Sequence, residues 1–152
     1  MQSTNRGMRA GAALLILLSF AACGKKNDAP ADTTSLGATP DSQPLRVSNI
    51  EVGKRVGADK KITDQASDFG VRDTIYASVT TEGAGTSSNL AAKWTFNDKQ
   101  VVDSSTQTMS PRGGTSVTEF HITKASAWPK GKYKVEILLD GVSAGSKDFN
   151  VK

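Results

Sequence analysis

The sequence predicts an all-β fold, a sandwich of seven strands that occupies residues 45–152. Two observations lead to this prediction. From Leu45 onward, apolar residues recur at every second position, which is the period of a strand and not of a helix. Turn-forming pairs separate the alternating segments: Asn97-Asp98, Gly113-Gly114 and Asp140-Gly141. Antiparallel strands with one apolar face must bury that face against a second sheet, so we expect a sandwich.

Each strand is predicted from its alternating apolar positions. The first strand carries Leu45, Val47, Ile50 and Val52, with a break in phase at Ser48-Asn49. A polar strand at 102–108 has no apolar face, so we expect it at a sheet edge, and residues 53–70 are predicted as a long loop. The inward-facing sets of the other strands are Ile75, Ala77 and Val79; Leu90, Ala92, Trp94 and Phe96; Thr118, Phe120 and Ile122; Tyr133, Val135, Ile137 and Leu139; and Phe149 with Val151.

Residues 1–22 have the pattern of a secretory signal peptide, with Arg6 and Arg9 before an apolar segment. That segment is shorter than the roughly 20 residues of a spanning helix. The only cysteine, Cys23, follows directly after Ala21-Ala22. Segment 20–23 resembles the lipobox of bacterial lipoproteins, which implies cleavage before Cys23 and lipidation of its thiol. The alternative is an ordinary signal peptide that leaves a free thiol.

The residue after the cysteine is Gly24 and not Asp, which implies the outer membrane by the sorting rule of enterobacterial lipoproteins. Residues 24–44 contain three prolines and only one large apolar residue, Leu36, too little apolar surface to offset the entropy of ordering. As a flexible coil such a segment spans roughly 25 Å. The predicted organisation is therefore a signal peptide at 1–22, a lipidated Cys23 and disordered linker at 23–44, and a sandwich at 45–152.

Two segments of the predicted sandwich resemble the immunoglobulin-like fold. Trp94 lies in the third strand, where that fold has a buried tryptophan, and residues 128–133 lie where its tyrosine corner begins a strand. Residues 131–141 with 149–151 look like the terminal immunoglobulin-like domains of proteobacterial lipoproteins of unassigned role. The resemblance implies a fold without an inter-sheet disulfide, and it does not imply a function, because the sandwich hosts many functions.

The residues give no support to catalysis, a metal or a cofactor. The only histidine, His121, lies between inward Phe120 and Ile122, so alternation points it to solvent. No Gly-x-Ser-x-Gly elbow and no EF-hand loop pattern occurs in the sequence. The net charge of +4 falls to about +2 once Arg6 and Arg9 leave with the signal peptide, which gives no reason to expect nucleic acid as a partner.

Two candidate binding features remain. Lys54, Arg55, Lys60 and Lys61 place four cations within eight residues of the predicted loop. They are interpreted either as a solvated loop or as a contact with anionic lipid, lipopolysaccharide or an acidic envelope polymer. Trp128 is either an exposed stacking platform for sugar or, the favoured reading, a residue packed over the end of the core.

The sequence as a whole predicts an outer-membrane lipoprotein, anchored through Cys23, with one immunoglobulin-like sandwich on a flexible tether. The expected function is a non-catalytic envelope module that binds a protein or an anionic polymer. The alternative function is an inhibitor or chaperone-like accessory of another envelope protein.

Overall fold

The computed structural model describes residues 43–152, which form two β-sheets. The predicted signal peptide, Cys23 and the linker up to residue 42 lie outside the described residues. All regular secondary structure in 43–152 is strand. The strands are β1 (Arg46–Val56), β2 (Ile62–Gln65), β3 (Asp68–Phe69), β4 (Ile75–Ala84), β5 (Ser88–Phe96), β6 (Gln100–Met109), β7 (Arg112–Ile122), β8 (Gly131–Leu139) and β9 (Val142–Val151).

The order of the strands is that of an immunoglobulin-like sandwich. One sheet has the order β2-β1-β4-β7 and the other β3-β9-β8-β5-β6. Neighbouring strands are antiparallel, except that β3 runs parallel to β9. The chain crosses between the sheets from β4 to β5, from β6 to β7 and from β7 to β8, which is the Greek-key connectivity of this fold. The predicted fold class is confirmed, and the polar strand β6 lies at a sheet edge as predicted.

Alternating side chains of both sheets fill the space between them. Trp94, at the centre of β5, is fully buried, and its ring meets Phe149 edge-on at 6.0 Å between centroids. Phe149 also stacks on Tyr133, with the two ring centroids 5.5 Å apart. Burying each such aromatic side chain stabilises the fold by about 1.5–3 kcal/mol. The core therefore forms from the residues whose alternation predicted it.

Two local predictions about the chain path are confirmed. Val47 pairs with Thr81 and Asn49 with Thr80, which leaves Ser48 as an unpaired bulge at the predicted break in phase. The bulge restores the phase that turns the second half of β1 towards the core. Asp140 and Gly141 both have positive φ, 51° and 82°, and they join β8 to β9 as a two-residue hairpin turn.

The prediction of a long loop at 53–70 is wrong, and the sandwich has nine strands instead of seven. β1 continues to Val56, which pairs with Ile62 as β2 returns beside it. Register shifts on both sides of Arg55 break the alternation, and this irregularity concealed the strands in the sequence. After β2, the chain crosses to the other sheet, where Phe69 of β3 is buried and pairs with Val151.

The sandwich has two ends with different roles. The chain enters the sandwich at one end, here called the linker end. There Pro44 forms an isolated β-bridge with Ala84, and the Ala84 backbone N–H donates to the Gln43 carbonyl at 2.9 Å. Residues 85–87, 110–111 and 140–141 lie at the same end. The opposite end, here called the loop end, consists of residues 57–61, 70–74, 97–99 and 123–130. A nine-residue strand such as β8 separates the two ends by about 25 Å.

Candidate functional site

Trp128 fastens two connections of the loop end to each other. Its backbone N–H donates to the Val71 carbonyl at 2.8 Å, and its indole Nε1 donates to the Asp73 carbonyl at 3.0 Å. The side chain is only 7% exposed and meets the Tyr133 ring edge-on at 6.1 Å. The favoured prediction, packing over the end of the core, is confirmed. The ring is therefore not an open platform for a sugar.

The Asp73 carboxylate fixes the loop between β3 and β4. It accepts the Gly70 backbone N–H at 2.9 Å and the Lys54 ammonium at 2.9 Å. The Gly70 N–H, and after it the Lys54 ammonium, hold the pKa of Asp73 below its usual value. The Lys54 ammonium also lies 5.9 Å from the centre of the Phe69 ring. The Lys54 ammonium is therefore paired with the Asp73 carboxylate and lies against the buried Phe69 ring at the end of the core.

The structure divides the four predicted cations into two pairs. Lys54 is bound to Asp73, and Arg55 lies 3.4 Å from the Asp64 carboxylate across the β1–β2 pair. Lys60 and Lys61 lie exposed in the turn of this hairpin, and among the described residues no carboxylate oxygen lies within 4 Å of either ammonium group. Half of the predicted cluster is thus neutralised locally. The other half remains available to a partner.

Other connections bring further cations to the same end. Like Lys60 and Lys61, these side chains are exposed, and within residues 43–152 none has an acidic oxygen within 4 Å. Sequence reasoning missed them because they are far apart along the chain, and only the strand order brings them together. We call all seven residues the basic rim: Lys60, Lys61, Arg72, Lys99, Lys124, Lys130 and Lys132.

A groove of about 250 Å³ opens at the loop end, between the start of β6 and the connection 123–130. Val101 on its wall is 53% exposed, while Trp128 and Tyr133 form its recessed floor. The Lys124 ammonium lies 5.8 Å from the centre of the Trp128 ring. We call this feature the aromatic groove; it is lined by Phe96, Gln100, Val101, Val102, Thr123, Lys124, Trp128, Pro129 and Tyr133.

His121 is exposed on β7, as alternation predicted. Its Nδ1 lies 2.7 Å from the Glu119 carboxylate, and its ring lies beside Tyr76 with centroids 5.5 Å apart. Within residues 43–152, no three His, Cys, Asp or Glu side chains come together in a way that could hold a metal ion. The same part of the chain contains no helix long and apolar enough to cross a membrane.

No protein-family model and no curated protein matches this chain. Among solved structures, this chain is similar to a Pseudomonas fluorescens alkylpurine DNA glycosylase bound to DNA. The sequence identity is 14% and the TM-score is 0.49, and the match covers 71% of this chain and 30% of that one. An immunoglobulin-like protein from Pseudomonas aeruginosa matches with 16% identity and a TM-score of 0.48, covering 73% of this chain and 98% of that one. A β-glucosidase from Listeria innocua matches with 8% identity and a TM-score of 0.44, covering 68% of this chain and 16% of that one.

The chain itself carries the assignment of the fold. Besides the strand order, the Tyr133 hydroxyl donates to the Pro129 carbonyl at 2.8 Å, four residues upstream. This is the tyrosine corner that the sequence predicted, at the start of the expected strand. Residues 43–152 thus form an immunoglobulin-like β-sandwich whose loop end combines unpaired positive charge with a groove that has aromatic rings at its floor.

Proposed function

We propose that this protein is an outer-membrane lipoprotein, anchored at Cys23, whose immunoglobulin-like domain is a non-catalytic binding module for an anionic envelope partner. The observation that carries the proposal is the basic rim: four separate connections supply six exposed cations to one end of the sandwich, and Lys132 at the start of β8 supplies a seventh. Clustered charges of one sign raise the local concentration of an oppositely charged partner and speed its encounter.

The rim lies far from the point where the described chain begins. Gln43 and Pro44 dock at the linker end, about one strand length from the rim. These first described residues therefore do not cover the rim.

A second candidate function is an inhibitor or chaperone-like accessory of another envelope protein. The aromatic groove favours it, because a recess of mixed polar and aromatic lining beside exposed cations suits a polypeptide better than a uniformly charged polymer. The two candidates share the loop end as the binding surface and differ in the chemistry of the partner.

Binding of polyglutamate and of lipopolysaccharide to soluble residues 24–152 tests the proposal. One variant replaces Lys60, Lys61, Lys99 and Lys124 with Ser. The matched control removes the same charge elsewhere, at Arg46, Lys93, Arg112 and Lys147. We expect the rim variant to lose at least tenfold in affinity for one of the probes, with a weaker effect at higher salt, and the control to change by less than about threefold. If the wild type binds neither probe, or if both variants lose affinity equally, the proposal fails.

A further inference from the structure

We infer that the aromatic groove is a docking site for one apolar side chain of an acidic polypeptide segment, so that the anionic partner of the loop end is a protein. This inference rests on the proposed function, since it names the class of partner that the basic rim attracts. The partner must then carry an apolar side chain as well as negative charge. A simple polyanion has the charge but not the apolar side chain.

The size of the groove suits a single side chain. Its volume of about 250 Å³ lies below the roughly 300–1,000 Å³ of pockets that enclose a complete small-molecule ligand. Its lining combines apolar and polar groups: Phe96, Val102 and Pro129 line it together with the recessed rings of Trp128 and Tyr133, and Gln100, Thr123 and Lys124 add polar atoms. Interfaces between proteins concentrate their binding energy in such pockets, each filled by one anchor residue.

The charges around the groove complement an acidic segment. Lys124 is part of its lining, Lys99 precedes the lining residue Gln100, and Lys130 follows the lining residue Pro129. These three lysines belong to the basic rim. In the described part of the chain, no carboxylate oxygen lies within 4 Å of their ammonium groups. Carboxylates placed on either side of an apolar anchor would therefore meet positive charge.

The geometry disfavours a polysaccharide and a bilayer as occupants. A sugar ring needs an open aromatic face, whereas Trp128 is 7% exposed, with Tyr133 against it and Lys124 over its ring. A bilayer needs large apolar side chains that protrude, and of the large hydrophobic residues of the groove only Val101 is exposed. The recess instead accepts a side chain that projects from the partner.

The adjoining strand gives an extended segment room to lie along the domain. Within residues 43–152, β6 is an edge strand, so one side of its backbone has no neighbouring strand there, and Gln100, Val101 and Val102 join that edge to the groove. A bulge leaves Val102 unpaired between the pairs Trp94–Asp103 and Thr95–Val101. This irregularity weakens continuous pairing with a second copy of the same edge, which favours a short segment of another protein.

The test uses soluble residues 24–152 and three peptide probes: a decapeptide of Glu and Asp with one central Phe, the same peptide with Ala in place of Phe, and polyglutamate. Affinity is measured for each, together with the NMR signals of the two indole N–H groups. We expect the Phe peptide to bind at least tenfold more tightly than the Ala peptide and to shift the Trp128 indole signal. The Trp94 indole is fully buried in the centre of the core, so its signal is the internal control.

A variant of the groove completes the design. Val101→Glu places a carboxylate at a site that is already 53% exposed, so we expect the fold to persist and the Phe peptide to bind at least tenfold more weakly. Equal affinities for the Phe and Ala peptides, with an unmoved Trp128 signal, would overturn the groove inference while the basic rim keeps its proposed role. If no anionic probe binds at all, the proposed function fails as well. A Trp128 signal that depends on protein concentration without peptide would identify a second copy as the occupant, which also overturns the inference.

Discussion

At the scale of the residue, a few hydrogen bonds hold the loop end in place. Tyr133 ties the start of β8 to Pro129, and Trp128 ties the same connection to Asp73, which in turn holds Gly70 and Lys54. The bond from Trp128 joins connection 123–130 to connection 70–74, and the others stay within one connection or reach an adjoining strand. The two connections that carry Arg72, Lys124 and Lys130 are therefore held in place.

Trp94 gives a test of the core. Trp94→Ala should lower the free energy of unfolding by about 3–5 kcal/mol, because the ring is fully buried between the sheets. Its Nε1 is buried without a hydrogen-bond partner, so Trp94→Phe removes an uncompensated polar group together with part of the ring. We therefore expect a smaller loss for Trp94→Phe in urea unfolding of residues 24–152. A loss below about 1 kcal/mol for Trp94→Ala would contradict the position of β5 in the core.

Tyr133 gives a test of the corner and a dependence on pH. Tyr133→Phe removes the hydrogen bond to the Pro129 carbonyl and should cost about 0.5–1.5 kcal/mol near neutral pH. Burial raises the pKa of Tyr133 above its usual value of 10.0. At a pH between 10.0 and the pKa of the folded state, the Tyr133 hydroxyl therefore ionises only in the unfolded chain. The advantage of the wild type over Tyr133→Phe should therefore be present below pH 10 and shrink above it. Urea unfolding of both forms across this range measures the difference, and a constant difference would contradict the assigned burial.

At the scale of the element, regular alternation predicted the strands, and it failed where bulges interrupt it. The single bulge at Ser48 left enough alternation on either side for β1 to be recognised. The two register shifts around Arg55 left too little, so the end of β1 and the short strands β2 and β3 were predicted as a loop. Phe69 shows the difficulty: a strand of two residues has no period, and its burial follows from pairing with β9.

The junction between linker and sandwich depends on Gly83, whose φ is 104°. A Cβ there would lie 2.7 Å from the Gln43 carbonyl oxygen, with the Pro44 backbone as close a neighbour. Gly83→Ala should therefore displace residues 43–44 from β4 and destabilise the domain by about 1–3 kcal/mol through backbone strain. Hydrogen exchange at the Ala84 amide, which donates to Gln43, reports the displacement. Gly114→Ala is the control, because its φ is also positive and no atom lies within 4 Å of a Cβ; equal exchange at Ala84 in both variants would contradict the close approach.

At the scale of the whole molecule, the strand order assembles a site that the sequence does not display. Lys60, Lys99 and Lys124 are separated by tens of residues, and each alone is an ordinary charge beside a turn. Their connections lie at one end only because of the order of strands in the two sheets. Of the four connections at the loop end, the sequence alone predicted a cationic segment only at the hairpin turn 57–61. The aromatic groove was missed for the same reason, although its Trp128 and Tyr133 had been recognised as corner residues.

The membrane anchor is tested by replacement of Cys23. In cells supplied with a palmitate analogue, we expect label on the wild type and none on Cys23→Ala, because the proposed lipid attaches to that thiol. Cell fractionation should then recover the wild type with the outer membrane and Cys23→Ala as a free protein. Equal labelling of both forms would contradict the anchor at Cys23.

The central claim is that an anionic partner binds at the loop end and not at the linker end. The most direct measurement is an NMR titration of residues 24–152 with polyglutamate and with the acidic Phe peptide, which locates the bound probe on the wild-type protein. The account predicts that shifted amide signals lie in 57–61, 97–99 and 123–132, while those of 85–87, 110–111 and 140–141 stay in place. Shifts centred on the linker end, or spread evenly over the domain, would contradict it.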